Sequence, residues 1–209
     1  MYHKSDLPQG GRLAIWHVTE SQDELEAMIR EQTPAFTQKP PPERKRRHRE
    51  WYATRLLLSL MGADPSVGYD KLGKPFLHHG DQHISISHSG EYVAASIHPT
   101  KRTGIDLEHT GDRIHRVKKK FINEDEAKAL RQGLETEMLY VIWGAKECAF
   151  KIYGKGGVDF RNHLKVKPFE FSTTGSTEVM LTKPDISDKF GVRWEYFGDL
   201  ILVHAIADT

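Results

Sequence analysis

A single cysteine, Cys148, excludes any intramolecular disulfide, and with it the structural zinc sites that need two or more thiolates. No run of about 18 apolar residues occurs, so no segment reads as a membrane span. The polar start, Met1 to Gly10, lacks the apolar core of a secretory signal, and a cytoplasmic location is the expectation. Charge of one sign is lacking too. Thirty Lys and Arg face 29 Asp and Glu, for a net charge of +1. That balance argues against a protein that coats nucleic acid, though a local basic patch can still meet a polyanion. What remains is an ordinary globular composition, 38% hydrophobic and 28% charged over 209 residues, enough for one sizeable domain or two small ones.

Hydrophobic periodicity and breakers divide the chain near Pro99 to Gly104, giving halves at 1–102 and 103–209. In the first, Leu13 to Val18 reads as a strand and Ser21 to Arg30 as a helix opened by a Ser21/Glu24 capping box. A proline-rich loop from Thr33 to Pro42 precedes a longer helix over Glu43 to Met61, whose first half is basic and whose stop is Gly62. His83 to Ser87 and Tyr92 to Ile97 read as strands joined by a Ser89-Gly90 turn. The second half opens on a strand, Thr103 to Glu108, in which Asp106 and Glu108 share one face. Helical patterns follow at Glu124 to Arg131 and Glu137 to Tyr153. Strands at Leu164 to Phe171, Glu178 to Leu181, Val192 to Phe197 and Leu200 to Ala207 then fit an antiparallel meander. A weak internal echo links Val93 to Ile97 with Val203 to Ala207.

Several segments carry residues suited to phosphate chemistry. Carboxylates at i and i+2 of a strand, Asp106 and Glu108, offer hard oxygen ligands to a magnesium ion; a half-exposed strand with a polar face is the plainer alternative. Trp143-x-x-Lys146-Glu147-x-x-x-Lys151 places Glu147 and Lys151 four apart on a helix, where such pairs are usually solvated. Lys71-Leu72-Gly73-Lys74-Pro75 presents an ammonium from a stiff loop, or is simply a polar turn. Ser87-His88-Ser89 ends a strand with two hydroxyls and an imidazole, all competent to bond a phosphate. His78, His79 and His83 lack the helical spacing of a zinc site. The run Arg44 to Arg49 is the densest charge, a solvated helix face or a cluster for a polyphosphate or acidic protein, extended by Arg55.

Taken in this order, the pieces resemble the 4′-phosphopantetheinyl transferase superfamily, and in particular its long, surfactin-type class. The resemblance runs from about Arg44 to Lys155. It rests on Gly73-Lys74-Pro75, on Ser87-His88-Ser89, on Gly104-x-Asp106-x-Glu108, and on Phe121 to Glu126 followed by Trp143, Lys146, Glu147 and Lys151. Ile122 departs from the motif where a second aromatic residue is often found, and Asp125 beside Glu126 doubles its acidic position.

The resemblance implies an α+β pseudo-dimer of two similar halves, each a helix packed on a small antiparallel sheet, with a coenzyme A cleft between them and function as a monomer. It implies a holo-[acyl-carrier-protein] synthase type reaction: transfer of the phosphopantetheine arm of coenzyme A to a serine of an apo acyl or peptidyl carrier protein, releasing adenosine 3′,5′-bisphosphate. Magnesium would be held by Asp106, Glu108 and Glu147. The catalytic candidates are Glu147, Lys151 and Glu126, with the base left open between the two glutamates. Coenzyme A would be contacted by Arg47, Arg55, Lys74, Pro75, Ser87, His88, Asp106, Lys146 and Lys151. No nucleic acid or membrane partner is expected. Two competing readings are a magnesium-dependent nuclease, which lacks its usual Glu-x-Lys after Asp106, and a binding module without catalysis, which ought to have lost a metal ligand or lysine.

Overall fold

In the computed structural model residues 3–207 are described, with the side chains of residues 44–46 excepted. The chain forms two compact units, Met1–Thr100 and Lys101–Thr209, and its class is α+β with antiparallel sheets.

The first unit begins with strands β1 (His3–Asp6) and β2 (Arg12–His17) and helix α1 (Gln22–Gln32). Ser21 caps α1 as its sequence implies: the Glu24 amide donates to the Ser21 hydroxyl at 3.3 Å, and the Ser21 amide donates back to the Glu24 carboxylate at 2.7 Å. The helix expected from Glu43 starts later. Pro42–Arg47 is a 3-10 turn, and α2 spans His48–Leu60. Arg47 caps α2 without a side-chain bond, and a run of cations opposes the positive end of the helix dipole, so the basic segment is a poor first turn.

A two-stranded ribbon, β3 (Val67–Tyr69) with β4 (Pro75–Leu77), is followed by the hairpin of β5 (His83–Ser89) and β6 (Tyr92–His98). Ser89 pairs with Tyr92, so the turn residues are Gly90-Glu91, one position beyond the expected pair, with Gly90 supplying the positive φ of 57°. The sheet order is β1-β2-β6-β5. The apolar faces of α1 and α2 (Leu25, Ile29, Leu56, Leu57) bury with Ala14, Trp16, Val93 and Ile97 of the sheet.

The second unit opens with β7 (Thr103–His109), then helices α3 (Arg113–Val117), α4 (Glu124–Ala129) and α5 (Glu135–Tyr153), and ends with β8 (Leu164–Val166), β9 (Thr174–Lys183), β10 (Ile186–Phe197) and β11 (Leu200–Ile206). The sheet order β7-β11-β10-β9-β8 is the expected meander of β8 to β11 with β7 added beside β11. The strand expected to reach Phe171 stops at Val166, since Pro168 has no amide for the ladder. Helix α5 packs on β7 and β11 and ends at Gly154 in the left-handed region, φ 67°. The echoing segments lie in β6 and β11, each an interior strand of its own sheet.

Candidate active site

Two glycines bring α5 unusually close to the sheet. A Cβ on Gly104 would stand 2.4 Å from the Cys148 carbonyl oxygen, and one on Gly144 would stand 2.5 Å from the Val203 side chain. Neither fits, so helix and strand approach backbone to backbone only because both positions lack a side chain. Gly104, Asp106 and Glu108 alternate on the same face of β7, and this close approach sets Glu147 and Lys151 of α5 against them.

Lys151 donates from Nζ to the Ile105 carbonyl at 2.6 Å and to Asp106 Oδ1 at 2.9 Å. Burial pulls its ammonium down, but Asp106, Cys148 and Glu147 outweigh that and hold it above the ordinary lysine value. Asp106 is 5% exposed. Glu108 ion-pairs with Arg113, and Arg113 is itself steadied by Tyr140, whose hydroxyl accepts from Nε at 3.2 Å and donates to the Gly111 carbonyl at 3.2 Å. Burial, then the Asp106 charge, push the Glu108 carboxyl up, against the pull of Arg113 and a Trp143 hydrogen bond. Glu147 makes no hydrogen bond or ion pair among the described residues. Its carboxyl is raised to about 7, first by burial and then by Asp106 and Glu108, with Lys151 opposing.

Among the described residues no three His, Cys, Asp or Glu side chains are already gathered into a ligand cage. Asp106 and Glu108 instead each keep a resident cation, Lys151 and Arg113. The three carboxylates are of the oxygen type that a hard divalent ion takes, and Asp106 and Glu108 both raise the proton affinity of Glu147.

Residues 102–203 match the 4′-phosphopantetheinyl transferase superfamily. The match covers nearly all of the second unit and lies wholly outside the first, and it supports phosphopantetheine transfer in general terms. No curated protein matches the chain. No helix among the described residues is long and apolar enough to cross a membrane.

The other two candidates of the matched stretch, Lys146 and Glu126, form a pair of their own. Lys146 is wholly buried and donates to Glu126 Oε2 at 2.7 Å, to the Phe121 carbonyl at 2.6 Å and to the Phe160 carbonyl at 2.9 Å. Glu126 also accepts from the Val166 amide at 2.9 Å and the Asn123 amide at 3.0 Å. Burial lowers the Lys146 ammonium, against the pull of Glu126. Every oxygen of Glu126 and every proton of Lys146 is committed to tying α4, α5 and β8 together, which is the geometry of a structural ion pair.

In the first unit, Lys74 and Pro75 are half-buried at the β3–β4 ribbon, Ser87 is buried in β5, and His88 is exposed. His88 Nε2 stands 2.9 Å from the Thr54 hydroxyl, which donates to the Glu50 carbonyl at 2.7 Å; with its proton so used, that oxygen accepts from His88. Arg47 is exposed, the side chains of Arg44, Lys45 and Arg46 lie outside the described residues, and Arg49 is bound to the Val18 and Glu20 carbonyls. Arg55 is 2% exposed, inside the unit. Sequence reasoning passed over Arg113, Tyr140 and Thr54. A basic residue one turn after the Asp-x-Glu strand was the one available signal, for Arg113.

Proposed function

We propose that this protein moves the 4′-phosphopantetheine arm of coenzyme A onto a serine of an apo acyl or peptidyl carrier protein, releasing adenosine 3′,5′-bisphosphate with magnesium present. The observation that carries the reading is the cluster of Asp106, Glu108, Glu147 and Lys151 between β7 and α5, inside a stretch that matches the superfamily.

Asp106, Glu108 and Glu147 are the ligands we assign to magnesium, which when bound neutralises the pyrophosphate that a nucleophile must approach. Lys151 adds positive charge where the leaving phosphate develops its own. Glu147, whose carboxyl is raised to about 7 and is therefore partly ionised near neutral pH, takes the proton of the incoming serine hydroxyl in its carboxylate form. Glu126 is set aside as the base because both of its oxygens already accept hydrogen bonds and one is ion-paired with the buried Lys146. Lys74, Pro75, Ser87, His88 and Arg47 are the proposed coenzyme A contacts of the first unit. The halves at 1–102 and 103–209 are proposed as a pseudo-dimer that works as a monomer; the position of the strand echo on an interior strand of each sheet supports that reading.

Intact-mass spectrometry of an apo acyl or peptidyl carrier protein incubated with the protein, coenzyme A and magnesium tests the reading. One phosphopantetheine is gained, and EDTA prevents the gain. Absence of transfer across both carrier types, with coenzyme A bound by calorimetry, would replace transfer with binding alone.

A further inference from the structure

Arg55 is a full cation in the interior of the first unit with no acidic partner among the described residues. Its guanidinium lies 3.7 Å from the centre of the Trp51 ring and donates to the Trp51 carbonyl at 3.3 Å. The other arm leaves the helix. It donates to the Val67 carbonyl at 3.4 Å and meets the Tyr69 hydroxyl, while Nε has no hydrogen-bond partner. Burial pulls the guanidinium down to about 10, and Tyr69 opposes that pull. A buried cation without an acid is costly, and an apolar residue would fill the same space more cheaply. What the fork does, and an apolar side chain cannot, is join α2 to β3.

That junction matters because β3 and β4 are three residues each and pair only with one another, and an isolated two-strand ribbon is marginal in water. Directly after Tyr69, Asp70 fixes the loop: Oδ1 accepts from the Leu72 amide at 2.8 Å and the Lys74 amide at 2.9 Å, and the Asp70 amide donates to the Lys74 carbonyl at 3.0 Å. The backbone of Lys74 is therefore clamped to Asp70, Asp70 is adjacent to Tyr69, and Tyr69 and Val67 are held by Arg55.

We infer that Arg55 is a positioning residue that holds the β3–β4 ribbon, and through it Lys74, in place for coenzyme A, rather than a phosphate ligand itself. The inference rests on the reading of Lys74 as a coenzyme A contact.

The test uses the full chain. Tyr69→Phe removes the acceptor at the half-exposed end of the link, Arg55→Lys keeps the charge and loses the fork, and Lys74→Ala is the reference. Amide exchange at Leu72 and Lys74 should accelerate about fivefold in Tyr69→Phe and more in Arg55→Lys, while β2 and β6 keep their protection. The KM for coenzyme A should rise with kcat nearly unchanged, as in Lys74→Ala, and Arg55→Lys combined with Lys74→Ala should be no worse than Lys74→Ala alone. Unchanged exchange at Leu72 and Lys74 in both folded variants overturns the inference, and so does full additivity of the double variant. If the ribbon loosens but Lys74→Ala leaves the KM untouched, Lys74 is not a coenzyme A contact, and the positioning role falls with that reading while the link itself stands.

Discussion

Removing the charge of Glu147 should stabilise the protein while it silences it. In Glu147→Gln the amide keeps the size of the side chain and loses the ionisation. The carboxyl ionises near 4.5 in an unfolded chain and is raised to about 7 in the folded one by burial and by the Asp106 and Glu108 charges. A raised carboxyl binds its proton more tightly in the folded state. Its contribution is fully present below 4.5 and is lost as pH climbs through about 7. The difference corresponds to about 3 kcal/mol, or roughly 6 to 12 °C in Tm for a chain of this size. Thermal melts from pH 5 to 9 should therefore show wild type losing stability relative to Glu147→Gln as pH rises, with the curves converging toward pH 5. Magnesium should recover part of the wild-type loss at pH 8 and little of the variant's stability. Parallel curves across the whole range would refute the assignment of a strained carboxylate to this position. In the carrier-modification assay the variant should lose about 10² to 10⁴ in rate if Glu147 is the base.

Other expectations follow from the same contacts. Glu126→Gln or Lys146→Met alone should cost about 3 to 5 kcal/mol in urea unfolding, because each leaves a buried partner uncompensated, and the double variant should cost less than their sum. Gly104→Ala should destabilise by about 1 to 3 kcal/mol and reduce magnesium binding measured by calorimetry, since the helix must lift away from β7 to admit the methyl group. Asp106→Asn should abolish magnesium binding and leave the far-UV circular dichroism unchanged; loss of the helical signal would mark Asp106 as structural.

Local signals decided much of the fold. The Ser21/Glu24 box, the apolar spacing of Met138 to Ile152 and the apolar strand patterns of β5 to β7 and β9 to β11 each follow from rules that reach only a few residues, and the order of motifs pointed to the superfamily that residues 102–203 match. α2 begins later than the pattern implies because Glu43 to Arg47 contains no helix breaker, while capping and dipole fail at Arg47. The short β3 and β4 strands were invisible because three residues carry no period.

At the site, the sequence put Asp106 with Glu108 and Glu147 with Lys151. Nothing in it could say that Lys146 and Glu126 pair with each other in the interior, that Arg113 reaches Glu108, or that Arg55 faces β3. Those are decided by partners 5 to 20 residues away along the chain, brought together by packing. A charged residue type is the same letter whether it meets solvent, a substrate or a buried counter-ion, and only the tertiary structure sets which of these surrounds it.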